Sequence, residues 1–238
     1  MTKKKIMMAA MSAGLVAGVG VGGTLAYLSA QTDVVNNTFT IGTGYVTDKD
    51  GHTGIFIDET DVDNSSNGVR DIENVYREMV PAKSYTKDPL VHMVGGSIAS
   101  YVFVHVDGLQ ELDEQNIHVY YEDSTGALQQ GVDPTDYMPI DVDAYGDGTY
   151  LYCGGEYGIE DAAYVVDVSK TKALDVELAN VFDIVKMDDD VTSDDFNKIT
   201  LDGKAIQVQA AAVQYAEGMT SYLDAVDTLP VEWNVTVE

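Results

Sequence analysis

Cysteine occurs once in this chain of 238 residues, and lysine and arginine together only 13 times. Each scarcity excludes something. A single thiol, Cys153, rules out an internal disulfide. It lies in the alternating run Gly148-Thr-Tyr-Leu-Tyr-Cys-Gly-Gly155 with no Cys-His motif, so it reads as a small buried hydrophobe. Thirteen basic residues against 40 acidic ones give a formal net charge of −27. A field of that sign repels phosphate backbones and anionic membrane surfaces, which excludes nucleic acid as a partner. Catalytic signatures are missing too. There is no His-Glu-x-x-His, no Gly-x-Ser-x-Gly elbow, no P-loop and no dinucleotide fingerprint. With 40 acids, paired carboxylates are no signal of acid–base chemistry, and the residues make no case for an enzyme. After residue 28 no apolar run reaches about 18 residues, so no later segment is expected to span a bilayer.

What is present begins at the N-terminus. Lys3, Lys4 and Lys5 precede an apolar run over residues 6–28, which empties into a polar, strand-prone segment. A basic region, an apolar region and small residues at its end form a secretory signal. The run also has the roughly 20 residues that a bilayer span needs, so an uncleaved anchor is the alternative. Its Gly, Ala and Ser content and the triplet Thr24-Leu25-Ala26 favour cleavage after Ala26. Leu28-Ser29-Ala30 offers Ala30 as a second site, with a bulky residue at −3. Cleavage after Ala26 leaves 212 residues with ten basic against 40 acidic, a charge of −30. The mature protein is expected to be secreted, in the extracellular matrix or at the cell surface, with no membrane attachment after cleavage.

The mature chain reads as short strands punctuated by turns. Residues 34–41 alternate, with Val35, Phe39 and Ile41 on one face. Residues 53–58, 87–94 and 117–121 are further strand candidates. Residues 99–106 form the strongest, and their near-continuous apolar character predicts burial on both faces. Residues 59–74 are acidic and rich in Asn and Ser, and read as a loop. Residues 122–147 carry Pro, Gly, Asp and Gln and read as an excursion of loops. Strands are expected again at 149–153, 163–168, 176–185 and 204–214. Residues 218–227 have helical spacing, Pro230 stops them, and 231–237 is expected to close the fold as a strand. The pattern predicts an all-β, antiparallel β-sandwich with one or two short helices.

Two metal readings arise. The histidines are His52, His92, His105 and His118, and no pair has helical ligand spacing. His105 and His118 fall in neighbouring strand candidates and could meet in space. Residues 63–71 resemble the start of a calcium loop, with Asp63, Ser65, Asn67 and Asp71 at alternate positions and Gly68 at the sixth. The twelfth position is Asn74 rather than a bidentate Glu, so a solvated acidic turn is the competing reading. Calcium is the one cofactor the residues put forward.

Three segments resemble one family. Gly22-Gly-Thr-Leu-Ala-Tyr-Leu-Ser-Ala-Gln-Thr-Asp, followed by Asn37-Thr-Phe-Thr-Ile-Gly42, resembles the junction of proteins processed by a SipW-type signal peptidase. Met79-Val-Pro-Ala-Lys-Ser-Tyr-Thr-Lys-Asp-Pro-Leu-Val91, leading to Ala99-Ser-Tyr-Val-Phe-Val-His-Val106, is similar to a strand pair of the TasA/camelysin family, with Ala82 where the family usually has Gly. Ile206-Gln-Val-Gln-Ala-Ala-Ala-Val-Gln214 resembles that family's late strand. The resemblance implies a jelly-roll-like sandwich, secreted by Gram-positive bacteria, that serves as a subunit of biofilm matrix fibres. Its implied partners are further copies of itself and the SipW-type peptidase. It also implies assembly by donor-strand addition, in which the arm of one subunit completes a sheet in the next. The expected organisation is a signal at 1–26, an arm at 27–41 bearing Val35, Phe39 and Ile41, and a sandwich at 42–238 with a loop-rich excursion around 107–200. Residues 34–42 serve equally well as the first strand of their own sandwich, which leaves 27–33 as the better donor. Two other functions stay open: a camelysin-like metallo-endopeptidase, for which no zinc signature is present, and a monomeric calcium-binding surface or adhesion module.

Overall fold

Alternation of apolar and polar residues over runs of four to eight is strand chemistry, and it dominates this chain. The computed structural model describes residues 29–31, 44–63, 70–72, 74–76, 79–154, 158–159, 162–192, 194, 198–199, 201, 204–216 and 219–236. Its strands are β1 (Ser29–Gln31), β2 (Ile55–Asp58), β3 (Ser84–Thr86), β4 (Leu90–Val94), β5 (Ser100–Asp107), β6 (Ile117–Glu122) and β7 (Leu128–Gln130). There follow β8 (Tyr137–Val142), β9 (Gly148–Tyr152), β10 (Gly158–Ile159), β11 (Ala162–Val166), β12 (Asp175–Asn180), β13 (Ile184–Met187) and β14 (Gln207–Gln214). Two short helices, α1 (Leu109–Asp113) and α2 (Leu223–Val226), and a 3-10 turn at Val231–Trp233 complete the elements. The fold is an all-β sandwich, and the strand pairings are antiparallel.

The layers follow from β5. Its even positions Val102, Val104 and Val106 enter the main core, while Tyr101 and Phe103 enter a second one. β14 beside it divides likewise, with Ala210 and Ala212 on the first side and Ala211 and Val213 on the second. The seven-stranded sheet built around β5 therefore needs a cover on each face. A three-stranded sheet, β12-β4-β2, covers one with Ile55, Val91, Met93 and Val176. The C-terminal segment covers the other with Ala225, Val226, Leu229 and Trp233. A four-stranded sheet, β3-β13-β6-β7, encloses a smaller cluster of Met79, Leu112, Ile117, Val185 and Met187.

Several expectations need correction. Residues 122–147, read as loops, contain β7 and β8, and the wider excursion 107–200 carries the strands β6 to β13. Its Asp and Gly residues belong to hairpin turns. Asp123 Oδ1 accepts the amides of Thr125 and Ala127, and Asp143 Oδ1 accepts those of Tyr145, Gly146 and Asp147. Short carboxylates that bond their own backbone in this way favour turns. The run 176–185 is not one strand. It breaks at Val181 and Phe182, both fully buried, and passes from the three-stranded to the four-stranded sheet. The expected closing strand at 231–237 is a 3-10 turn at its start. Trp233 Nε1 donates to Gln209 Oε1 at 2.6 Å and its ring stacks on His105, which draws the chain onto the sheet face. The helix expected at 218–227 shrinks to α2. The strand expected at 34–41 lies outside the described residues.

One glycine has no substitute. Gly148 opens β9 at φ +140°, and a Cβ there would lie 2.0 Å from the Asp141 carbonyl oxygen in the paired strand β8. The two-faced burial of β5 makes a sharper test. Phe103→Ala should lower stability by about 3–5 kcal/mol, whereas Val231→Ala, at a position 88% exposed, should stay within about 0.5 kcal/mol. Urea denaturation of the chain from residue 27 measures both. A Phe103→Ala cost below about 1 kcal/mol would mean that the second face is not a core.

Candidate assembly edge and the surrounding groups

The two sides of β14 are used unequally. Toward β5 all eight residues pair, from Gln207 opposite Asp107 to Gln214 opposite Ser100. Toward the outer side, among the described residues, Ala211, Ala212 and Val213 pair with Gln31, Ala30 and Ser29 of β1. Residues Gln207 to Gln209 have no partner strand on that side among the described residues, although Val208 packs on the main core. β2 lies against both β14 and β1, so the wall of the facing sheet borders this edge. At its end, the Gln214 side chain is mostly buried and its Oε1 has no hydrogen-bond partner among the described residues. Tyr45 anchors the far side of the same strand, its buried hydroxyl donating to the Ala212 carbonyl at 2.9 Å.

Of the residues singled out in the sequence, Ala30 is in β1, while Ala26, Val35, Phe39 and Ile41 lie outside the described residues. Ser65 and Asn67 lie outside them as well. Asp63 Oδ2 accepts the Val75 amide at 2.9 Å, and Asp71 pairs by backbone with Glu59 and accepts the Ile72 amide through Oδ1. Both carboxylates thus organise the backbone of their own loop. Among the described residues no three His, Cys, Asp or Glu side chains gather in a metal-binding arrangement. His105 and His118 do not meet. His105 sits on β5 in the seven-stranded sheet with Nδ1 2.9 Å from Thr149 Oγ1, and His118 sits on β6 in the four-stranded sheet near Asp113 and Asp188. Cys153 is half-buried rather than core, its thiol 3.7 Å from the Thr135 carbonyl, and burial pushes its pKa up. A thiol held protonated by burial and by the negative charge of Asp136 is a poor nucleophile.

The largest polar cluster was not legible in the sequence. On the outward face of the three-stranded sheet, His92 of β4 reaches diagonally to both neighbouring strands. Its Nδ1 is 2.9 Å from Asp175 Oδ1 on β12, and its Nε2 is 3.0 Å from Asp58 Oδ1 on β2. Arg70 Nε donates to the same Asp58 oxygen. Arg70 also donates to the carbonyls of Asp58 and Asp88, at 3.1 and 2.9 Å, and to Thr60 Oγ1. Though it points away from the core, His92 is only 2% exposed. Phe56 stacks on it at 4.5 Å and His52 stacks on Phe56 at 4.0 Å, with His52 Nδ1 2.9 Å from Asp48 Oδ2. Burial alone would raise the Asp58 pKa, but the hydrogen bonds from His92 and Arg70 outweigh it and hold the carboxyl low. The single sequence signal was a histidine flanked by Val91 and Met93, and its partners lie 34 and 83 residues away.

An apolar cavity of about 300 Å³ lies by the four-stranded sheet, lined by Met79, Leu112, Ile117, Val185, Leu201 and Ile206. Its two lysines are already paired, Lys87 with Glu59 at 2.5 Å and Lys204 with Glu111 at 3.7 Å. No family model, curated protein or solved structure matches this chain. Among the described residues no helix is long and apolar enough to cross a membrane. Any function must therefore be argued from the edge, the clusters and the charge.

Arg70 ties the loop after β2 to that strand through several charge-assisted bonds. Arg70→Met should cost about 1.5–3 kcal/mol and make the segment around residues 60–72 cleavable at protease concentrations that spare the unsubstituted protein. Limited proteolysis with mass mapping and a urea titration check both effects.

Proposed function

We propose that this chain is a secreted structural subunit of extracellular matrix fibres, assembled by strand addition along β14. The observation that carries the reading is the outer edge of β14. Among the described residues this inner strand is paired there with Ser29 to Gln31, a segment that begins three residues after Ala26 and the expected cut, and Gln207 to Gln209 have no partner strand. Unpaired strand edges recruit further strands, and an arm from a neighbouring subunit that pairs along all eight residues makes more hydrogen bonds than β1 does. The arm 27–41 is the donor in this reading, with Val35, Phe39 and Ile41 as its apolar face. The resemblance to the TasA/camelysin family supports the same reading, with its jelly-roll connectivity and SipW-type processing. A charge of −30 after cleavage, 10 basic against 40 acidic residues, sets a condition on assembly. Like-charged subunits repel until salt brings the screening length to about 8 Å, near 0.15 M ionic strength.

Electron microscopy of the chain from residue 27 should show fibres at that ionic strength, and the chain from residue 42 should stay monomeric while keeping its circular dichroism spectrum. Mixed in, the armless chain should shorten the fibres of the full-arm chain, because it accepts a strand and donates none. Sequencing of the secreted protein should begin at Tyr27. Absence of fibres from the full-arm chain at every ionic strength overturns the reading.

A further inference from the structure

A neutral imidazole has one N–H, and it cannot donate to two acceptors. His92 faces two. With Asp58 and Asp175 both ionised, a neutral ring would set one nitrogen lone pair against a carboxylate oxygen at 2.9 or 3.0 Å. The imidazolium donates to both. Its two acceptors stand on the strands either side of β4, so the charged ring is a side-chain tie across the whole three-stranded sheet. Its surroundings favour that charge. Asp58 faces it from β2, Asp175 from β12, and Glu177 stands directly across the ladder on β12. Arg70 is the nearest cation, shared between Asp58 and Asp88. His52, paired with Asp48, is separated from the ring by the Phe56 face.

We propose that His92 is a proton-operated clasp of the three-stranded sheet: as the imidazolium it ties β2 and β12 to β4, and its deprotonation releases the edge strand β12. The released side is β12 because its carboxylate has somewhere to go. The Asp175 side chain is 39% exposed and can turn into water, whereas Asp58 is held by Arg70 as well. The β12–β4 ladder is also the less regular one, with a register shift between Glu177 and Asn180. The clasp is independent of the fibre reading, since it concerns the fold of one subunit.

The pH window follows from linkage. Burial opposes the charged ring, but the hydrogen bond and charge of Asp58, and then those of Asp175, outweigh it and raise the His92 pKa. A raised folded value means that the clasp contributes in full below the unfolded value of about 6.5 and is lost as pH climbs through the folded value. The Asp58 carboxyl is shifted down, so its contribution persists until pH falls below about 3.8, the ordinary value. Stability from this cluster is greatest between those limits.

Two variants test the clasp. Asp175→Asn presents an amide that satisfies a neutral ring, so its dependence on the His92 proton should weaken. Above pH 6.5 the unfolding constant of the unsubstituted chain should rise by up to tenfold per pH unit, and that of Asp175→Asn should rise less. The two chains differ only at residue 175, so the difference isolates the His92 cluster. If Asp175→Asn does not fold, the ring itself decides the matter. Nitrogen NMR of labelled protein at pH 6 should show both His92 ring nitrogens protonated, and their titration should precede broadening of β12 amide signals. A neutral ring at pH 6, or parallel loss of stability in the two chains from pH 6 to 9, overturns the proposal.

Discussion

Everything in this fold answers to one constraint: β5 and β14 are apolar on both faces. A strand of that kind cannot lie at the surface of a two-layer sandwich. The three-stranded sheet satisfies one face, and the C-terminal segment is needed for the other. That need explains why Met219 and Tyr222 pack with Ala225, Val226 and Leu229 in so short a helical stretch. Four helical residues have almost no intrinsic stability. They hold because the sheet face beneath them must be covered. Trp233 does the same for the chain end, bonding Gln209 of β14 and stacking on His105 of β5.

The negative charge finds its use in the backbone. Asp123, Asp133 and Asp143 each accept amides two or more residues ahead, at turns. The Asp123 carboxyl is lowered to about 2, first by the hydroxyl of Thr125 and then by backbone amides. Asp147 reaches across from the β8–β9 turn to accept the amides of Leu109 and Gln110 at 2.7 and 2.9 Å, which caps α1 from outside that helix. The α1 N-cap position is Gly108, whose side-chain-free conformation leaves those amides to a remote carboxylate. These acidic residues are turn and cap elements, and a count of acids carries little chemical information.

The sequence showed this architecture unevenly. The strand β5 was legible because burial on both faces leaves an unbroken apolar run. The excursion at 122–147 was not, because its strands β7 and β8 contribute three and six residues while the Asp- and Gly-bearing turns around them contribute as many loop signals. The break at Val181 and Phe182 was hidden for the opposite reason. Both residues are buried, so the corner at which the chain changes sheets is as apolar as the strands it joins. The proposed docking edge was half legible: the expected cleavage site pointed to the residues after Ala26, but only the ladder shows which strand receives β1. The Asp58–His92–Asp175 cluster needed three strands in register, and no local pattern encodes that.

The proposed docking edge and the proposed clasp meet at β2. Its Ile55 and Ile57 side chains belong to the main core, its Asp58 belongs to the histidine cluster, and its backbone runs beside β1 and β14. The slot that holds β1 is thus walled by a strand whose position is set from its other face by a buried charge. β1 itself is weakly held. Three ladder residues offer two to four backbone hydrogen bonds, each worth about 0.5–1.5 kcal/mol net, against an ordering cost of about 1–2 kcal/mol per residue. Those terms nearly cancel, so the three-residue ladder by itself adds little net stability. A longer strand at the same edge multiplies both terms but adds apolar burial beside Val208, which packs on the main core. The advantage of an incoming strand therefore lies in the apolar side chains it brings to a wall that is already built.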